Sequence, residues 1–164
     1  MHSMRRAIID VGTNSVKLLV ADVEGERIHP VLEKSEQTRL GQGFYASQYL
    51  QSGPMARTAR AVADFAQRAR QSQAGAIRVI GTSAARDALN KNELALAIDQ
   101  ASGLALEIIS GDQEADWVFR GVATDPKLHG QKLLILDVGG GSTEFIVGQS
   151  GDHLFRRSFP VGSL

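Results

Sequence analysis

The chain has 164 residues, 43% of them hydrophobic, with 18 basic against 18 acidic side chains and a formal net charge of zero. That balance offers no global basic field for nucleic acid or an anionic membrane surface, so an anionic substrate has to be recognised locally. The lack of cysteine excludes disulfides, a thiolate nucleophile and a thiolate metal site and is compatible with a cytoplasmic setting; no apolar run reaches the ~20 residues of a membrane span.

In chain order, "RAIIDVG" and "SVKLLVADVEG" predict two strands, short, β-branched and bounded by glycine. "RIHPVLEKSEQTRLG" predicts a third extended segment, which runs into the loop "GQGFYASQYL". "SGPMARTARAVADFAQRARQSQAG" predicts a long helix, with Met55, Ala59, Val62, Ala66 and Ala69 recurring at three and four. Ser52 or Gly53 is its expected cap, and Pro54 suits the first turn. "AIRVIGTS" predicts a strand. "NKNELALAIDQASG" predicts a helix, capped by Asn90 or Asn92 and stopped by Gly103. "LALEIIS" predicts another strand. "SGDQEADWVFRGVATD" predicts a helix whose Ser110 and Gln113 have capping-box spacing. After Pro126 and Gly130 the chain returns to strands.

The resulting order, βββ-α-β-α-β-α followed by three strands, is an α/β pattern with parallel pairs in the middle and hairpins at both ends. The last three strands have no following helix to cover them, and such a piece is a poor independent unit. The expectation is a first part of a larger protein, or a chain that pairs with a partner.

One device occurs twice. "DVGTNSVKLLV" (Asp10 to Val20) and "DVGGGSTEFIV" (Asp137 to Val147) align without a gap at Asp, Val, Gly, Ser and the final Val. Neither copy is a P-loop, which runs from strand to helix and carries a lysine where these carry none. Nor is either a dinucleotide fingerprint, because strands follow rather than helices. Both read as hairpin loops in which Gly12, and Gly139, Gly140 and Gly141, let backbone N–H groups converge on an anion. Thr13, Asn14 and Ser15 in the first copy, and Ser142 and Thr143 in the second, add polar side chains. Asp10 and Asp137 are wrong for direct contact with phosphate and suit a divalent cation that the phosphate also binds. A single glycine hairpin is more often only a turn. It is the repetition in register that favours phosphate.

Paired hairpins of this kind resemble the phosphate loops of the actin, chaperone and sugar-kinase superfamily. Within it, five stretches resemble the exopolyphosphatase/guanosine pentaphosphate phosphohydrolase (Ppx/GppA phosphatase) family: "IDVGTNSVKLLV", "GTSAARDALN", "IISGDQEADWVFRGV", "LLILDVGGGSTEF" and "SFPVGSL". The resemblance implies two ribonuclease-H-like (actin-like ATPase) domains, with 1–125 as the first and 126–164 as the opening three strands of a second, truncated one. It also implies a hydrolase that releases terminal phosphate from inorganic polyphosphate or guanosine pentaphosphate with Mg²⁺. A chain lacking the rest of the second domain is a candidate for inactivity on its own. A homodimer, through the truncated second domain, is the expected assembly.

The resemblance assigns the catalytic base to Glu114. In the first turn of a helix the dipole favours a carboxylate, so the group can stay ionised and hold water. The plain alternative is a helix-stabilising first-turn glutamate; Asp112 is the nearby competitor but does not match the family position. Glu144 joins Asp10 and Asp137 as a metal candidate, against a solvent-facing strand glutamate; Lys17 takes its place in the first copy. Arg86, just past a strand end, is a phosphate contact or a salt bridge to Asp87 or Glu93. Arg39 matches a family position near the cleft, or is a surface arginine. Two further readings stand beside hydrolysis: an ATP-using kinase or actin-like ATPase, and a non-catalytic polyphosphate- or nucleotide-binding module.

Overall fold

A computed structural model describes residues 4–25, 27–149 and 152–163. The chain forms two compact units, Met1–Ile108 and Ile109–Leu164.

In the first unit, β1 (Met4–Val11), β2 (Ser15–Glu24) and β3 (Arg27–Gln37) form an antiparallel meander. β4 (Ala76–Gly81) then joins β1 in parallel, and β5 (Leu106–Ile108) joins β4 in parallel, giving the order β3-β2-β1-β4-β5. One face of this sheet is apolar because alternate residues along β1 and β2 are apolar. Ile9, Val11, Val16, Leu18 and Val20 are buried there with Val62, Phe65, Leu94 and Ile98. The last four lie on helices α2 (Ser52–Gln71) and α4 (Lys91–Ser102). Two short helices were not expected: α1 (Phe44–Ser47) inside the "GQGFYASQYL" loop, and α3 (Ser83–Asp87).

The helix ends match expectation in part. Gly103 ends α4 with φ 68°, the left-handed conformation that glycine adopts without a Cβ penalty. The N-cap of α2 is Gln51 rather than Ser52 or Gly53, both of which lie inside the helix. Asn90 does precede α4 but makes no side-chain cap bond. Its amide instead accepts from Leu50 N (2.9 Å) and donates to Leu50 O (3.1 Å), pinning the chain ahead of α2.

The second unit holds α5 (Gly111–Ala123) and a meander of β6 (Lys132–Val138), β7 (Thr143–Gln149) and β8 (Asp152–Phe159), in the order β6-β7-β8. The expected capping box forms in full: Ser110 accepts from Gln113 N, and the Gln113 side chain accepts from Ser110 N, both at 3.1 Å. A sheet with no helix to cover it was expected, and this is corrected. α5 packs on β7 and β8, and Ala115, Phe119 and Ile146 form a small buried cluster. The reason is the spacing of Ala115 and Phe119, which puts both on one helix face. The compact units therefore divide ahead of α5, whereas the sequence reading grouped this helix with residues 1–125. On the other face of this sheet, Leu134, Leu136, Val138, Phe145 and Phe155 are exposed. Among the described residues no helix is long and apolar enough to cross a membrane.

Candidate active site

The two aligned hairpins close in the same way. Gly12 N donates to Ser15 O at 3.0 Å, and Gly139 N donates to Ser142 O at 2.9 Å. A Cβ on Gly12 would sit 3.0 Å from Ser15 O, and one on Gly139 would sit 3.2 Å from Ser142 O, a tight approach at the same place in both turns that favours glycine. The strand register continues the match. Asp10 lies opposite Lys17, and Asp137 lies opposite Glu144. Each aspartate is thus one strand step before its loop and shares a sheet face with its cross-strand partner.

Around the first loop the structure gathers most of the predicted residues of that unit. Thr13 is buried, and its Oγ1 accepts from Ala84 N at the start of α3 (3.3 Å). That bond ties the loop to the "TSAARD" segment carrying Arg86. Asn14 O accepts from Thr38 N (3.1 Å) and Arg39 N (2.8 Å). Arg39 adopts φ 52°, left-handed and unusual for a residue with a Cβ, at a cost of about 1–3 kcal/mol. Its side chain is exposed, so it is available to an anion at the loop. Arg86 makes the salt bridge to Asp87 that the plain alternative proposed, at 3.3 Å, with its side chain 19% exposed. Asp10 and Lys17 line an open groove of about 610 Å³ along the sheet, with Ile8, Leu19, Glu33 and Lys34.

The second loop is built differently. Gly141 and Ser142 are buried, and the Thr143 hydroxyl donates to Val161 O. Glu144 is not the solvent-facing strand glutamate of the plain alternative, for it is 1% exposed and accepts from Ser158 Oγ at 2.7 Å. Like charges directly opposite on a sheet repel. The Asp137–Glu144 pairing puts two carboxylates at one place in the sheet. Among the described residues no three His, Cys, Asp or Glu side chains gather into a metal group. Two carboxylates still fit Mg²⁺, which takes one or two from protein and completes its shell with phosphate oxygens and water.

Glu114 stands in the first turn of α5, half-buried, its N–H donating to Ser110 O at 3.0 Å. The completed capping box fixes the start of the helix that carries it. Two residues on, Asp116 binds His153 Nε2 at 2.6 Å, Arg120 at 2.9 Å and Arg156 at 3.6 Å. The His153 hydrogen bond, aided by the charge of Arg120, holds the Asp116 carboxyl below the usual carboxylate range against the opposing effect of burial. The Phe119 ring lies 4.6 Å from the His153 ring. These contacts fasten α5 to β8. Sequence reasoning missed them because no local spacing links residue 116 to 153.

A model of the Ppx/GppA phosphatase family matches residues 19–164. The chain belongs to the Ppx/GppA phosphatase family. It is 37% identical to exopolyphosphatase 2 of Mycobacterium tuberculosis, over 91% of this chain and 50% of that protein. It is 31% identical to the guanosine-5'-triphosphate,3'-diphosphate pyrophosphatase of Pseudoalteromonas translucida, over 95% of this chain and 31% of that protein. The crystal structure of an exopolyphosphatase from Cytophaga hutchinsonii superposes with a TM-score of 0.91 and 31% identity, covering 97% of this chain and 51% of that one. The chain thus spans about half the length of exopolyphosphatase 2, and it has the mixed α/β, actin-like fold of Ppx/GppA proteins.

Proposed function

We propose that the chain carries the phosphate-binding and water-orienting part of a phosphoanhydride hydrolase that releases terminal phosphate from inorganic polyphosphate, guanosine pentaphosphate or both. The observation that carries this is the duplicated hairpin, with the same closing hydrogen bond and the same closely packed glycine in each copy. Names among its relatives, exopolyphosphatase and guanosine pentaphosphate pyrophosphatase, supply the substrate class.

In this reading the amides of Gly12 and Gly139 to Gly141, with the Thr13, Ser15, Ser142 and Thr143 hydroxyls, hold phosphate oxygens. Asn14 shapes the first loop through its carbonyl, and Arg39 and Arg86 offer planar donors to anionic oxygens. Asp137 and Glu144 would hold Mg²⁺ at the second loop, and Asp10 is the corresponding carboxylate candidate at the first. When bound, that ion neutralises charge developing on the transferred phosphoryl group. Glu114 accepts a hydrogen bond from the attacking water, keeps it in line and takes its proton. Water adds to the terminal phosphorus, the bridging P–O bond breaks, and the shortened chain leaves as the anion. The wider proposal retains a homodimer and a cytoplasmic setting, the former checked by sedimentation of the intact protein.

The test is phosphate release from both substrates by the full-length protein. Glu114→Gln should lower kcat by about 10²- to 10⁴-fold. Release at the wild-type rate by that variant overturns the assignment of Glu114.

A further inference from the structure

The repeat extends beyond the two hairpins. After the third strand of each meander, the chain turns back and crosses its own loop. In the first unit, Thr38, Arg39 and Gly41 follow β3, and Gly41 N donates to Thr13 O at 2.8 Å. In the second, Val161, Gly162 and Ser163 follow β8, and Ser163 N donates to Gly139 O at 3.0 Å. Both crossings place a glycine against the loop. A Cβ on Gly41 would overlap Thr13 Cγ2 and lie 3.5 Å from Thr13 O. A Cβ on Gly162 would overlap the Gly140 carbonyl and lie 2.5 Å from Gly141 N, closer than the 3.0 Å that real Cβ atoms respect.

We propose that Gly41 and Gly162 are equivalent positioning residues, each allowing a crossover segment to lie directly on a phosphate-loop backbone and fix the direction of that loop's amides. The role in phosphate recognition rests on the functional reading above; the role in loop geometry does not. The two positions differ in severity. At Gly41 the obstacle is mainly the end of a side chain, though Thr13 is buried and its hydroxyl is engaged by Ala84 N. At Gly162 the obstacle is backbone that belongs to the loop itself. No rotamer change relieves that overlap, so the loop or the crossover must move.

The test uses the intact chain with its amide resonances assigned, first alone and then titrated with tripolyphosphate and Mg²⁺. Gly162→Ala should displace the resonances of Gly139 to Ser142 and weaken tripolyphosphate binding by about ten- to a hundredfold. Gly41→Ala should do the same to Gly12 to Ser15 by a smaller factor. Ser163→Pro removes the N–H that reaches Gly139 O without adding a Cβ at 162, and should also move the second loop, which covers the case of Gly162→Ala failing to fold. Gly121→Ala, where a Cβ meets nothing within 4 Å, should leave both loops and the affinity unchanged. Loop resonances and affinity that stay at wild-type values in Gly162→Ala and Ser163→Pro overturn the inference. A wild-type chain that ignores tripolyphosphate, while the loop resonances still move in the variants, overturns the functional reading and leaves the positioning role standing.

Discussion

The two glycine hairpins share a backbone and differ in what stands behind it. Each closes with the same glycine-to-serine hydrogen bond, and each is crossed by a segment bearing a glycine. Behind the first lies a broad core in which Ile9, Val11, Val16 and Val20 pack under α2 and α4. Behind the second lies the small cluster of Ala115, Phe119 and Ile146. The charge also differs, Asp10 facing Lys17 in one copy and Asp137 facing a buried Glu144 in the other. The difference teaches that the loop geometry was kept in both copies while the acid pair was placed in only one. The same backbone frame occurs twice, and paired carboxylates occur only in the second copy.

The largest expected effect concerns the scaffold. Phe119→Ala should destabilise the second unit by about 3–5 kcal/mol. Denaturant unfolding read by hydrogen exchange should show α5 and β6–β8 opening early with the first unit unchanged. Equal loss of protection in both units would break the contrast between a broad core and a small one.

Next comes the charge. Glu144→Gln should weaken Mg²⁺ binding in the presence of tripolyphosphate by about tenfold, or ~1.4 kcal/mol. Lys17→Gln at the equivalent place should leave it unchanged. Calorimetric titration of both variants checks this, and a matching loss from each would mean that the two copies do not differ as described.

The smallest effect is the pH response of the α5–β8 contact. The folded state depresses the Asp116 pKa, so this group's stabilisation is fully present above its unfolded value of about 3.9 and fades as pH falls through its folded value. Trp117, the single tryptophan, neighbours Asp116 on α5 and is partly exposed, which makes it a reporter. Its fluorescence should change below about pH 4 in the wild type. Asp116→Asn should remove that component, and an identical acid transition in the variant would assign it to other carboxylates.

Much of this site could be read before the structure. The Asp-Val-Gly and serine spacing announced the repeat because both hairpins depend on local backbone freedom. Ser110 and Gln113 announced the start of α5 because a capping box is a four-residue event. What stayed hidden was long-range. Helical spacing of Ala115 and Phe119 shows a buried face but not which sheet meets it, so the sequence alone does not tie α5 to the second sheet. Glu144 looked as much like a surface glutamate as a ligand, since only the Ser158 contact reveals its burial. Gly41 and Gly162 looked like loop glycines, because the backbones they meet lie far away in sequence.

We propose that each of the two hairpins binds phosphate, which amide chemical shifts of the intact chain titrated with tripolyphosphate and Mg²⁺ would reveal. The amides of Gly12 and of Gly139 to Gly141 should each shift and saturate. Shifts confined to a single hairpin, or absent from both, would contradict it.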